Sequence, residues 1–249
     1  MDLGIAGRVG VVSAASKGLG FASARALAEE GAKVVICARG AEALADAERA
    51  IAEAAAKAGR GGEVHAVVAD VTEPAAPARL VQEALDRFGS LQILVANAGG
   101  PPAARALELD DEAILAAVNA NLLTTVRLVR EAVPHMRSAG WGRVCAIASV
   151  AVKQPIATLA ASNTARTGLW AWAKTAAADL APDGITLNLA CPGFHLTDRF
   201  KALGHDAGGA PAGDPADFGK VVAFLCSAPA AFISGVAIQV DGGATLGLL

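Results

Sequence analysis

The segment Ser13-Ala14-Ala15-Ser16-Lys17-Gly18-Leu19-Gly20 has the residue types and spacing to hold a phosphate. Gly18 and Gly20 let a backbone approach an anion closely, and a helix starting there offers unpaired N–H groups and the positive end of its dipole. The run just before it, Arg8 to Ser13, reads as a short β-branched strand, and Phe21 to Glu30 follows with helical spacing. Strand, glycine turn and helix together suit the pyrophosphate of a dinucleotide.

A second group of candidates lies where the next strands should end. Cys37-Ala38-Arg39 lacks the carboxylate that would grip a free ribose 2′-hydroxyl, whereas Arg39, with Lys17 in the phosphate turn, offers cations to a 2′-phosphate. The expected cofactor is therefore NADP(H). Asp70 with Val71 could accept from an adenine amino group, although an aspartate there equally suits a helix start. Cys37, Cys145, Cys191 and Cys226 are widely spaced in apolar surroundings and read as reduced core thiols, with no metal site expected.

The elements that must position these residues follow from hydrophobic patterning. Lys33 to Ala38, Glu63 to Asp70, Ile93 to Ala96, Arg143 to Ser149, Thr186 to Ala190 and Val236 to Val240 read as further short buried strands, with helical segments between most of them. The expectation is an α/β fold: a Rossmann-like, doubly wound parallel sheet of about seven strands, formed by residues 1–249 as a single domain. Ala207 to Pro215, rich in Gly, Ala and Pro, reads as a loose loop within it.

Composition sets outer bounds. Of 249 residues, 54% are hydrophobic and 18% charged, enough for one ample core. Lys and Arg total 21 against 24 acidic residues, without a dense cationic run, so nucleic acid is not an expected partner. The Ala-rich stretch Ala41 to Ala58 is interrupted by charges, and no segment is expected to reach membrane-spanning length. The first residues lack the order of a signal peptide, and the expected location is cytoplasmic.

Taken with motifs downstream, the chain resembles the short-chain dehydrogenase/reductase family, especially its reductases of 3-oxoacyl carrier-protein type. The family's Thr-Gly-x-x-x-Gly-x-Gly turn matches Ser13 to Gly20 with Ala14 in place of the first glycine. Its Asn-Asn-Ala-Gly matches Ala96-Asn97-Ala98-Gly99, its helix asparagine Asn121, its Pro-Gly motif Pro192-Gly193 followed by Thr197-Asp198, and its C-terminal Asp-Gly-Gly Asp241-Gly242-Gly243. The resemblance implies that Ser13, Ser16, Lys17, Gly18, Leu19, Gly20, Arg39, Asp70, Val71, Asn97, Ala98, Gly99, Pro192, Gly193 and Thr197 bind the cofactor.

The resemblance also implies four catalytic positions, of which two depart from the pattern. Asn121 and Ser149 match the family's asparagine and serine, but Ser162 stands where its tyrosine belongs and Arg166 where its lysine belongs. No tyrosine occurs anywhere in the chain, so no shift of alignment can restore one. A serine hydroxyl is shorter and far less acidic than a phenol, and arginine is expected to stay charged and shuttle no proton. Three accounts stay open at this point. Ser149, Ser162 and Arg166 could polarise the substrate oxygen while water supplies the proton; His195 or Lys153 could supply it; or the fold could bind NADP(H) as a non-catalytic regulatory or scaffold protein. The expected function is oxidoreduction of a small carbonyl or alcohol substrate. The resemblance further implies a homo-oligomer, tetramer or dimer, using the helices around Asn121 to Met136 and Thr167 to Leu180 and the tail Ala244 to Leu249; Trp170 and Trp172 suit such an interface as well as a core. The segment Asp198 to Gly213 would form a short, glycine-rich lid.

Overall fold

In the computed structural model, which describes residues 1–202 and 212–247, seven parallel strands form one sheet in the order β3-β2-β1-β4-β5-β6-β7. They are β1 (Val9–Val12), β2 (Lys33–Ala38), β3 (Glu63–Val68), β4 (Ile93–Ala96), β5 (Gly142–Ile147), β6 (Ile185–Pro192) and β7 (Ala237–Val240). β1, β2, β4 and β5 are almost wholly buried because helices cover both faces, which explains their near-continuous apolar runs. Edge strand β3 is half-exposed and correspondingly more polar.

One face carries α1 (Gly18–Glu29), α2 (Ala41–Ala58) and α8 (Pro215–Leu225), packed on Val12, Val34, Ile36 and Val95. The other carries α3 (Ala76–Phe88), α5 (Thr124–Ser138) and α6 (Ala160–Leu180), packed on Val11, Val35, Leu94, Val144 and Leu187. α2 shows how the sequence selects its buried side: Leu44, Ala47, Ile51 and Ala55 recur every three or four residues and alone are buried, and Gly59, at φ +69°, ends the helix in the left-handed conformation. α4 (Asp111–Val118) joins α5 through a π-helical turn, Asn119–Leu123.

The continuous helical run Asp111–Ser138 is 28 residues long and passes the length and hydropathy of a membrane span, contrary to the expectation that no segment would. Within the fold, its α5 part packs on α3 and the sheet, so its apolar face belongs to the core. The other departures are local. α1 begins at Gly18 rather than Phe21, so the glycine turn is itself the helix start. β3 and β5 stop two residues earlier than expected because the Asp70 and Ser149 side chains accept hydrogen bonds from the backbone N–H groups of Thr72 and Ala151, turning the chain out of the ladder. The strand order reverses between β1 and β4, and their carboxyl ends open the crevice where such sheets bind ligands.

Candidate active site

The turn after β1 is laced to the turn after β4 across that crevice. Buried Ser13 donates from Oγ to the Asn97 carbonyl at 2.7 Å and accepts from the Asn97 N–H at 2.8 Å, while Asn97 Nδ2 donates to the Ala14 carbonyl at 3.0 Å. Ala14 sits at φ +49°, where a side chain is strained, and is the one non-glycine residue at positive φ among the described residues. Gly20 is required for a different reason: a Cβ there would lie 2.5 Å from the Ala14 oxygen and 2.6 Å from Asn97 Nδ2. Gly18, at φ +61°, turns the chain into α1 beside Thr197. Ser16 and Leu19 lie in the same turn, Ser16 half-exposed and Leu19 packed on the core below. The first N–H groups of α1 have no side-chain cap, and this cradle fits a pyrophosphate.

The two cations expected to meet a 2′-phosphate each lie near a carboxylate. Lys17 reaches towards Asp198 at 3.4 Å, in the short helix α7 (Asp198–Ala202), whereas Arg39 lies 3.9 Å from Asp70 at the end of β3. Arg39 is 81% exposed, so little holds it in that position. Asp70 Oδ1 accepts from Thr72 N–H and Oγ1, and these bonds hold its carboxyl below the usual range, with burial opposing them and Arg39 adding a smaller push in the same direction. Its Oδ2 takes no part in those bonds. Val71 is buried and its carbonyl accepts from Thr124 Oγ1.

At the carboxyl end of β5, Ser149 caps a 3-10 turn, Val150–Val152, by accepting from the Ala151 N–H at 3.1 Å. Asn121 lies in the π-helical turn and is buried; its Nδ2 makes one long bond of 3.4 Å to the Ala117 carbonyl and its Oδ1 has no partner among the described residues. The turn is held by Asn119 Nδ2 on the Thr72 carbonyl and by Arg127 on Asn119 Oδ1 at 2.7 Å. A π turn presenting an unsatisfied buried amide is a common signature of a working site.

Ser162 and Arg166 face the same region from α6, one turn apart and both more than nine-tenths buried. Arg166 Nε donates to Ser162 Oγ at 3.2 Å, and its Nη1 donates to the carbonyls of Ile147 at 2.9 Å and Ala148 at 2.7 Å, tying α6 to the end of β5. Among the described residues no carboxylate pairs with it. Burial pushes its pKa down to about 10, with smaller contributions from Cys191 and, in the lowering sense, Arg199. It remains charged at neutral pH.

The two other candidate proton donors have other partners among the described residues. His195 is buried with Nδ1 3.2 Å from the Gly193 carbonyl, its ring edge-on to Phe218 and 3.0 Å from the Cβ position of Gly213, so it packs in the β6 loop. Lys153 sits 5.5 Å over the Trp170 ring in an open groove of about 390 Å³ shared with Lys174 and Gly235. Both Trp170 and Trp172 pack partly against the core. Gly193 is fixed by contact, since a Cβ would meet Asp241 at 2.6 Å, and Thr197 Oγ1 accepts from the Phe200 N–H in the first turn of α7. Ala98 and Gly99 follow Asn97 on the β4 loop, and Pro192 ends β6. Most of the expected lid, with Gly204, Gly208 and Gly209, and the last residues of the tail lie outside the described residues. Among the described residues, no group of three His, Cys, Asp or Glu side chains could hold a metal. One residue carried no sequence signal: Arg199 on α7 reaches across to the β4 loop, where its Nη2 donates to the Pro101 carbonyl at 2.6 Å.

Comparison with known proteins places this geometry among relatives. The short chain dehydrogenase family matches residues 8–208. The chain is 35% identical over 256 aligned positions to a cis-4-hydroxycyclohexanecarboxylate dehydrogenase of Sinomonas cyclohexanicum, covering 98% of this chain and 99% of that protein. It is 32% identical to a dehydrogenase/reductase SDR family member 4 of Oryctolagus cuniculus, covering 96% and 94%. Among solved structures, the L-sorbose reductase of Gluconobacter frateurii, complexed with NADPH and L-sorbose, superposes with a TM-score of 0.90 at 32% identity over the whole of both chains. A 3-oxoacyl (acyl-carrier-protein) reductase of Agrobacterium tumefaciens with NADP bound gives 0.87 at 27% identity, covering 97% and 95%.

Proposed function

The chain belongs to the short-chain dehydrogenase family of oxidoreductases, and from that membership we propose an NADP(H)-dependent reaction on a carbonyl or alcohol in which Ser162 and Arg166 handle the proton. The observation that carries this reading is the buried bond from Arg166 Nε to Ser162 Oγ. A hydroxyl that accepts from a cation keeps its own hydrogen for another acceptor, and the adjacent positive charge raises its acidity.

The α1 N–H groups, with Gly18 and Gly20, would hold the pyrophosphate; Arg39 would meet the 2′-phosphate, and Asp70 and Val71 the adenine. Asn97 to Gly99, Pro192, Gly193 and Thr197 would line the nicotinamide half. NADPH and NADP are bound by the sorbose and oxoacyl reductases named above, and the exposed Arg39, with no carboxylate on its own strand end, favours the phosphorylated cofactor. When bound, the cofactor would supply a hydride to the substrate carbon. The Ser162 hydroxyl gives its proton to the substrate oxygen, the charged Arg166 stabilises the serine oxygen left behind through Nε–H, and water returns a proton to Ser162, so that one proton from water accompanies each hydride. Ser149 and the free Asn121 oxygen complete the polar wall around the reacting oxygen. The four buried free thiols suit a reducing cytoplasm.

The relatives' named substrates, a hydroxycyclohexanecarboxylate and a keto sugar, define a first panel. NADPH oxidation is followed with 4-oxocyclohexanecarboxylate, L-sorbose and a broader set of ketones, with NADPH binding measured separately by its fluorescence. Turnover that falls at least ~100-fold in Ser162→Ala while NADPH binding persists supports the assignment, on the scale of losing one general acid. Full activity in Ser162→Ala and Arg166→Ala removes both from the mechanism. NADPH binding without turnover across the panel identifies a non-catalytic protein instead.

A further inference from the structure

Two guanidinium groups stand near the carboxyl ends of β4, β5 and β6. Arg166 is buried on the α6 side, with no carboxylate partner among the described residues. Arg199 comes from α7, after β6, and crosses to the β4 loop, where Nη2 donates to the Pro101 carbonyl at 2.6 Å. Gly100 makes this crossing possible, since a Cβ on it would meet the Arg199 guanidinium at 3.2–3.5 Å. One nitrogen of the fork is engaged by that neutral carbonyl. The adjacent carboxylate, Asp198, is drawn away to Lys17. We propose that Arg199 recognises an anionic group on the substrate, so that the carbonyl or alcohol turned over here bears a carboxylate at the end remote from the reacting oxygen.

Two observations support this assignment. The charge on Arg199 is felt by Arg166 and helps, after burial, to lower its pKa, which places the two cations within electrostatic reach of one another. Like charges within reach of one another repel, so a carboxylate bound beside Arg199 relieves a repulsion as well as forming new bonds. Arg199 also suits the task chemically: its planar fork can take a carboxylate in two parallel bonds, and its exposed position lets it leave the Pro101 carbonyl at little cost. Specificity of this kind acts mainly on substrate binding, because the carboxylate is unchanged between ground and transition states.

The inference rests on the oxidoreductase reading for its kinetic arm and is independent of turnover in its binding arm. The kinetic arm compares 4-oxocyclohexanecarboxylate and 4-oxopentanoate with their methyl esters, in the parent and in Arg199→Gln. The parent is expected to favour each acid over its ester, and Arg199→Gln to reduce that preference at least ~tenfold, through KM, as loss of a charge-assisted pair implies. Equal treatment of acid and ester by the parent, or a preference that survives Arg199→Gln, overturns the proposal. The binding arm titrates benzoate into the NADPH-loaded protein by calorimetry. Binding that is abolished in Arg199→Gln supports the proposal even if no ketone is turned over, which would count against the catalytic reading alone. Absence of benzoate binding overturns it, as does a matching loss of NADPH affinity in Arg199→Gln, which would assign the arginine to the cofactor.

Discussion

Gly20→Ala tests whether the cradle is built by contact or by helix propensity, because the two make opposite forecasts. Gly20 is the third residue of α1, and alanine inside a helix is favoured over glycine by ~1 kcal/mol. Against this, the new methyl would stand 2.5 Å from the Ala14 carbonyl oxygen and 2.6 Å from Asn97 Nδ2, nearer than Cβ atoms come to anything. Neither neighbour is a free side-chain end. The Ala14 oxygen is backbone, and Asn97 Nδ2 is already bonded to it. To admit the methyl, the turn must move and that bond must lengthen or break. Overpacking costs about 1–3 kcal/mol and the hydrogen bond about 1 more. Subtracting the gain in propensity leaves a net loss of roughly 1–3 kcal/mol. With a urea m-value of about 3 kcal/mol/M, the midpoint should fall by about 0.3–1 M. NADPH affinity, read from its fluorescence, should fall at least ~tenfold as the phosphate-binding N–H groups shift, a loss of ~1.4 kcal/mol. A variant at least as stable as the parent, with unchanged NADPH affinity, would refute the claim that close contact fixes this glycine.

Arg39→Asp should weaken NADPH binding at least ~tenfold and strengthen NADH binding, since it replaces the cation at the end of β2 with the carboxylate that suits a free 2′-hydroxyl; equal parental affinities for the two cofactors by calorimetry would contradict this. Asp70 has a folded pKa below its unfolded value, so its contribution to stability is fully present above about pH 4 and is lost as pH falls through the folded value. Asp70→Ala should therefore lower the urea midpoint at neutral pH and flatten its decline in acid, and parallel pH profiles for both proteins would exclude the effect. The double change Ser162→Tyr with Arg166→Lys should abolish native turnover, because a phenol must enter a buried position and lysine cannot reproduce the three bonds of Arg166; retained native kcat/KM would show that neither residue is used as proposed. Light scattering at micromolar protein should report a homo-oligomer, with Leu115 and Leu123 among the exposed apolar residues that association would cover, whereas a stable monomer would contradict that expectation.

Much of the fold was legible in the sequence because its signals are local. Short apolar runs separated by helical periods require a parallel sheet covered on both faces, and the glycines of the first turn mark the crevice at its carboxyl edge. The absence of tyrosine is likewise a property of the sequence alone, and no folding can alter it. Tertiary structure decided what those residues face. It set Lys17 beside Asp198 and Arg39 beside Asp70, and it packed His195 between Phe218 and Gly213. It produced the π turn at Asn121 through contacts with Thr72 and Arg127, which lie far from it or on another turn and leave no local pattern. It also set the surroundings of Arg166: burial lowers its pKa to about 10, while the Ile147 and Ala148 carbonyls hold its charged form. Arg199 had no signal at all, being one exposed arginine among many until the fold set it against a loop 98 residues away. Periodicity and turn chemistry are written along the chain, whereas desolvation and charge–charge proximity depend on distances between segments that only the folded sheet brings together.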